Sequence, residues 1–292
     1  MFLDAIRTSD SVLQDHITIS LPEDCEVGGV SVPCSEEGQI TVRLADTEGQ
    51  RNAATLLLNR MYAWRGYGDH HTISDKPTHT TFTASNTREL LGTITLAVDS
   101  ASGLGVDKLF KEDIDKFRSV PGARMCELTR FAFDTTKPSK PMLATLFHLI
   151  FIYGQRVFDC TDLFIEVNPR HIKFYEIMLG FTRIGDLKMN DAVGAPSQLL
   201  WLSVDDIRRR VDNIKTGRDT RSRRSLYSYF FSPKEEDGLF GRLIGQRPFN
   251  RVPDEVAAEQ MEWDKLPTPL ASASRSTGMY QTAGLLSQQA IS

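Results

Sequence analysis

Two charges stand inside an apolar run, where charge is costly. Between Ala123 and Asp134 the chain is mostly aliphatic, aromatic or small, with Pro121 and Gly122 before it and Thr135 to Pro138 after it, which reads as a strand. Glu127 and Arg130 lie within that strand. A buried carboxylate or guanidinium destabilises a protein unless it is paired, so this pair needs a reason. A carboxylate held there is a candidate for proton transfer, and a guanidinium beside it for orienting an anionic group. Side chains three apart on a regular strand point to opposite faces. A one-residue bulge near Leu128 or Thr129 would bring both to one side. A structural salt bridge at the rim of a sheet is the alternative, and the residues leave both readings open.

The elements that must position this pair follow from periodicity. Ile40 to Ala45 alternates as a strand, and Asp46 is the expected N-cap of a helix running to about Trp64 with Ala53, Leu56, Leu57, Arg60 and Met61 at helical spacing. A loop carrying His70, His71 and His79 matches no defined metal spacing and reads as flexible. Strands are expected at 80–84 and 89–99, a helix within 103–120, and then the strand with Glu127. Met142 to Phe158 is a strongly apolar helix with Pro141 ahead of it. Its His148 reads as a satisfied core histidine. A short buried strand at 162–167, a helix from Asn168 to Leu179, strands at 181–185 and 198–204 and a helix from Asp205 complete the set. This order predicts an α/β fold with a central mixed sheet flanked by helices over residues 38–215. Residues 1–37 are expected to be an irregular N-terminal arm, and 216–292 a C-terminal extension, basic and aromatic at first and then largely disordered.

The totals set bounds. At 292 residues the chain can bury one large core, and its 40% hydrophobic content is ordinary for a globular protein. A net charge of −4 argues against a general nucleic-acid binder. Four cysteines without C-x-x-C spacing are expected to be free thiols in a cytoplasmic protein. The first residues lack a basic lead before an apolar core, so no secretory signal is expected, and no stretch is long and apolar enough for a membrane span.

The run from Cys126 to Phe133 is similar to the Glu-Leu-Ser-Arg-Phe-Ala signature of acyl-homoserine lactone autoinducer synthases and of the long-chain N-acyl amino acid synthases, which use acyl carrier protein. Gly92 to Ser100 followed by Gly103 to Gly105 and Phe110 resembles the latter group, and Asn168 to Phe181 resembles both. The order of elements resembles the GNAT acyltransferase superfamily. Two departures narrow the choice. Thr95 stands where autoinducer synthases carry an arginine, which counts against S-adenosylmethionine as acceptor. Asp134 to Pro141 has two prolines in place of the glycine-rich loop that cradles coenzyme A pyrophosphate. That favours the acyl-phosphopantetheine of acyl carrier protein as donor over acyl-CoA, with no other bound cofactor and no metal.

The resemblance implies an N-acyltransferase acting on a small amine such as an amino acid. Glu127 would be the general base and Arg130 would orient it or bind the acceptor carboxylate, with Tyr175 a thiolate-protonating tyrosine or else a core residue. Tyr62, Trp64, Arg65, Thr129, Phe131, Phe133, Phe147 and His171 would line substrate, although the phenylalanines could equally be ordinary core. The basic run from Arg208 to Arg224 could steer an acidic carrier protein. Together with the aromatics up to Phe231 it could instead touch an anionic membrane surface, or be a solvated linker. An acyl-homoserine lactone synthase is the nearest alternative, and a non-catalytic module binding acyl groups or carrier protein the alternative of another class.

Overall fold

The structure is a computed structural model and describes residues 17–20, 39–86, 88–134, 140–218 and 225–245. Eight strands form one sheet: β1 (Ile17–Ser20), β2 (Gln39–Leu44), β3 (His79–Ser85), β4 (Leu90–Val98), β5 (Met125–Phe133), β6 (Asp162–Val167), β7 (Thr182–Asn190) and β8 (Ala195–Ser203). Their order is β1-β2-β3-β4-β5-β6-β8-β7, and only β5 and β6 run parallel. The helices are α1 (Glu48–Trp64), α2 (Asp107–Arg118), α3 (Lys140–Phe158), α4 (Ile172–Leu179), α5 (Val204–Lys215) and α6 (Pro233–Gly245).

Alternation along the strands divides the core in two. Phe82, Ile94, Leu96, Leu128, Leu163 and Leu200 face α3, whose apolar residues explain why it is buried almost all round. The opposite face carries α1 and α2: Leu57 and Leu58 pack near Ala132, and Phe110 and Ile114 near Phe164 and Leu199. Among the described residues no helix is long and apolar enough to cross a membrane.

Several expectations need correction. Part of the presumed irregular arm is a strand, since residues 17–20 pair antiparallel with β2. Thr47, not Asp46, caps α1 through a reciprocal bond with Gln50. The buried stripe of α1 is Ala54, Leu57, Leu58 and Met61, which leaves Leu56 73% exposed. The histidine loop is pinned to α1: Asn59 Oδ1 accepts from the His71 N–H at 2.8 Å, and Asn59 Nδ2 donates to the His71 carbonyl at 3.0 Å.

The largest correction concerns the C-terminal extension. Residues 225–245 are built into the main core: Leu226, Tyr227, Phe230 and Leu239 are buried, and the Tyr227 hydroxyl donates to the Leu179 carbonyl at 2.7 Å. The aromatic group that a membrane contact through Arg208–Phe231 would need is therefore largely turned inward, because burying a phenyl ring in a packed core stabilises more than leaving it in water. The expectations for 1–16, 135–139, 219–224 and 246–292, including the proline loop, lie outside the described residues.

Candidate active site

The site is made by a strand that leaves its neighbour. β5 and β6 pair through Met125↔Asp162, Cys126↔Leu163 and Glu127↔Phe164. Beyond that point β5 continues along β4 to Phe133, while β6 continues along β8 to Val167. The sheet thus opens just after Glu127. β5 also bulges, two residues later than expected: Thr129 opposes Thr95 and Ala132 opposes Thr93, so Arg130 and Phe131 together face Ile94. Arg130 adopts φ +51°, the left-handed conformation that a bulge normally gives to glycine, at a cost of roughly 1–2 kcal/mol. Its Nε donates to the Thr72 carbonyl at 2.6 Å, which holds the side chain on the α1 face. The bulge also reverses the alternation. Glu127, Thr129 and Ala132 share the α1/α2 face, whereas Phe131 and Phe133 turn to α3.

Glu127 is 5% exposed and meets the N-terminal end of α2. Its Oε2 accepts from the Val106 N–H at 3.1 Å, and the Gly105 N–H also bonds it. A Cβ at Gly105 would lie 3.0 Å from Oε2 and 3.2 Å from Oε1, so a side chain there would push the carboxyl back by a few tenths of an ångström. Burial pushes the carboxyl up, the Val106 and Gly105 N–H groups pull it back, Glu166 pushes it up and Arg130 pulls it down; the result is a pKa of about 7. That value suits a group that must take up and release a proton near neutrality.

Beside Arg130 and Glu166, the charged neighbours of this carboxyl, the structure gathers several of the expected residues. Tyr62 feels Arg130, Arg65 and Glu166, and Tyr175 feels Tyr62 and Arg65, so these side chains share one electrostatic neighbourhood. Burial raises the Tyr62 hydroxyl to about 12 and pushes Tyr175 up as well, which keeps both protonated. Tyr175 packs edge-on against Phe174 and Phe181, and His171 lies nearby with its ring Nε2 accepting from Arg170 Nε at 3.1 Å. Trp64 is not brought in: it is 72% exposed and stacks only with the Arg65 guanidinium at 5.2 Å. Phe131, Phe133 and Phe147 form an aromatic row on the α3 face, with Phe131 and Phe147 5.2 Å apart.

Other residues at the site escaped the sequence reading. Glu166 stands on β6 across the opening, and its Oε1 accepts from Asn190 Nδ2 at 2.5 Å. His79 opposes Ala97, which opposes Glu127, and burial with Arg130 and Lys76 lowers its pKa to about 4. Thr81, Thr83, Thr93 and Thr95 form a buried hydroxyl patch on the same face. Thr81 and Thr95 bond each other at 2.8 Å, and Thr93 Oγ1 has no partner among the described residues. The alternation of threonine with apolar residues in β3 and β4 was the available signal; it reads as a half-exposed strand, and only the α1 cover makes it an interior. Among the described residues no group of three or more His, Cys, Asp or Glu side chains could hold a metal ion.

Comparison with known proteins decides the family. The model of the N-acyl amino acid synthase FeeM matches residues 53–203. The chain belongs to this family. The solved structure of FeeM, an N-acyl amino acid synthase from uncultured soil microbes, is 31% identical with a TM-score of 0.53, and the match covers 57% of this chain and 93% of that one. The AHL synthase LasI is 12% identical (TM-score 0.41; 56% of this chain, 90% of that one), and an acyl-CoA N-acyltransferase from Pseudomonas aeruginosa is 11% identical (TM-score 0.40; 56% and 98%). No curated protein sequence matches. As a FeeM-family member the chain is an acyltransferase with the GNAT fold, and Glu127, Gly105 and the β5–β6 opening all lie within the matched segment.

Proposed function

We propose that this FeeM-family enzyme is a cytoplasmic N-acyltransferase that moves a fatty acyl group from the phosphopantetheine thioester of an acyl carrier protein to the amine of an amino acid or similar small amine. The observation that carries the reading is a buried carboxyl with a pKa of about 7 at the mouth of the β5–β6 opening. Glu127 takes the proton from the acceptor ammonium. The freed amine nitrogen forms a bond to the thioester carbon, the C–S bond breaks, the departing thiolate takes a proton with Tyr175 as the candidate donor, and the second proton leaves the nitrogen to restore the Tyr175 hydroxyl as the amide forms. Arg130, beside Glu127 but not bonded to it, receives the acceptor carboxylate. Glu166, across the opening, supports a cationic ammonium before transfer. The aromatic row on the α3 face offers the acyl chain an apolar path once it has passed the opening. On and just after α5, Arg208 and Arg209 are paired with Glu236 and Asp206 and share the surface with Asp205 and Asp212, with Arg218 alongside as the candidate contact for an acidic carrier protein.

The test is direct. Purified protein is incubated with acyl carrier protein or coenzyme A carrying the same acyl group and with a panel of amino acids, and N-acyl products are measured by mass spectrometry. Product from the carrier-protein donor that disappears in Glu127→Gln is the expected result. Absence of product with every acceptor, or a fully active Glu127→Gln, overturns the reading.

A further inference from the structure

Behind the turn that bonds Glu127, a second charge cluster is joined to it by an unbroken chain of bonds. Arg118, the last residue of α2, uses its whole guanidinium. NH1 and NH2 donate to Asp107 Oδ1 and Oδ2 at 2.8 and 2.6 Å, Nε and NH2 to Asp99 at 2.8 Å each, and NH1 to Asp115 at 2.7 Å. In a straight helix, residues 107 and 118 would lie about 16 Å apart. They meet because α2 breaks at Phe110 (φ −118°, ψ 26°), whose buried ring lies under Lys188, while Lys188 Nζ donates to the Leu109 carbonyl at 2.7 Å. Asp107 Oδ2 in turn accepts from the Leu104 N–H at 2.7 Å. The next two residues are Gly105 and Val106, the donors to Glu127. Gly103, at φ +72°, leaves the space that the Asp107 carboxylate occupies, since a Cβ there would lie 2.4 Å from Oδ2.

We propose that Arg118 is a positioning residue for Glu127: through Asp107 it fixes the turn 104–106 so that two backbone N–H groups aim at the Glu127 carboxyl. The consequence for catalysis rests on the reading of Glu127 as the base. A stability role alone would require only some pairing of four charges. It would not require a broken helix, one glycine before the turn and another within it, and a carboxylate that bonds the guanidinium and the turn together. The other titratable groups on this face are Glu166 on β6 and Arg130 on β5, which act in opposite directions, and His79 on β3, whose pKa of about 4 keeps it neutral where Glu127 titrates. The adjoining Cys126 thiol is pushed well up by Cys160, burial, Asp162 and Glu127 itself, and Tyr62 on α1 stays neutral, so neither changes charge where Glu127 titrates. The two N–H groups are thus the contacts that a local displacement of the turn would remove, and their loss raises the Glu127 pKa.

The experiment reads that pKa independently of turnover. Protein labelled with carboxyl-13C glutamate is titrated by NMR, and Glu127→Gln assigns the resonance. Asp107→Asn and Arg118→Lys, which removes the fork but keeps the charge, are expected to raise the Glu127 midpoint by about one unit. The acid limb of kcat/KM moves with it, so activity at pH 6 falls about tenfold while the alkaline plateau holds. Asp115→Asn, which touches the same guanidinium but not the turn, leaves the midpoint in place. Gly105→Ala acts from the other end and must raise the same midpoint, whether or not the Asp107 variant folds. An unmoved midpoint in folded Asp107→Asn or Gly105→Ala overturns the proposal, as does a loss of plateau activity in Arg118→Lys without a shift. If the midpoint moves but Glu127→Gln keeps turnover, the positioning role stands and the base reading falls. If the midpoint stays but Glu127→Gln is inactive, the reverse holds.

Discussion

Glu127 and Glu236 are both buried carboxylates, 5% and 3% exposed, and they ionise in opposite directions. For Glu236 burial pushes the carboxyl up, but His148, Arg208 and Arg156 together more than reverse that, and it ionises below the ordinary range. For Glu127 burial also pushes up, and the two N–H groups with the unbonded Arg130 only partly offset it. Both carboxyls are shielded from water, but Glu236 lies nearer the surface, and the partners widen the difference. Glu236 Oε1 accepts from His148 Nε2 at 2.9 Å, while His148 Nδ1 accepts from the Phe231 N–H at 2.9 Å. Those two bonds require a neutral ring, in keeping with burial lowering the His148 pKa. With Phe230 stacked on His148 at 4.3 Å, this cluster clasps the C-terminal segment to α3. A buried carboxylate among cations locks structure; one left with only backbone donors is poised to move a proton.

The largest effect that could break this contrast is on turnover. Glu127→Gln should lower kcat about 10²–10⁴-fold in the acyl-transfer assay. The same change should stabilise the protein above pH 8. A carboxyl raised in the folded state from 4.5 to about 7 contributes stability that is fully present below pH 4.5 and lost as the pH rises through 7, a difference of about 3 kcal/mol. Denaturant midpoints at pH 8 should therefore be higher for the variant. A variant that is inactive and also less stable at pH 8 would mean that Glu127 is a structural anchor like Glu236.

Glu236→Gln sharpens the contrast from the other side. It should cost about 2–3 kcal/mol at pH 7, the value of hydrogen bonds to a charged group, and leave turnover per folded molecule unchanged. Because the Glu236 pKa is depressed, its contribution is present above the unfolded value of 4.5 and disappears as pH falls through the folded one, the opposite sign to Glu127. Limited proteolysis between residues 225 and 245 reads the release of the clasp.

How much of this was legible depends on sequence separation. Two charges inside β5 announced themselves locally, because no apolar strand carries Glu and Arg without cause, and a bulge was the one device that could put them on one face. Its position was not legible, since it depends on which residue of β4 stands opposite, a choice made by packing across the sheet. His148 read correctly as a satisfied core histidine, but its partner lies 88 residues on. Leu226 to Phe231 form a short turn of 3-10 helix and extended chain, with neither a 3.6 nor a 2 period to mark them as core. The GNAT order and the local signature around Glu127 sufficed for the family. The donors Gly105 and Val106, and Glu166 across the opening, belong to other elements and needed the fold.

Arg130→Gly separates the strain of the bulge from its use. Glycine accepts φ +51° freely, so the variant should gain up to about 1 kcal/mol of stability while losing the guanidinium. If Arg130 receives the acceptor carboxylate, KM for an amino-acid acceptor rises more than KM for the acyl donor. An equal change in both would mean that the residue only shapes the opening.

The smallest effect concerns the hydroxyl patch, where a third kind of buried polar group extends the comparison. Thr93 is fully buried and its Oγ1 meets no partner among the described residues, whereas its neighbours Thr81 and Thr95 satisfy each other. An unpaired buried hydroxyl costs about 1 kcal/mol or more, and valine has nearly the same shape. Thr93→Val should therefore raise the denaturant midpoint by about that amount, if the hydroxyl does nothing but pack. Should its partner be the acceptor substrate, the free protein still gains stability, but acceptor KM rises because a bond made only in the complex is lost. Thr81→Val is the control: it removes a made bond, leaves Thr95 unpaired and should destabilise. A Thr93→Val protein that is itself destabilised would show that the hydroxyl is already satisfied in the free enzyme, and the face beside Glu127 would then be packing rather than a place for substrate.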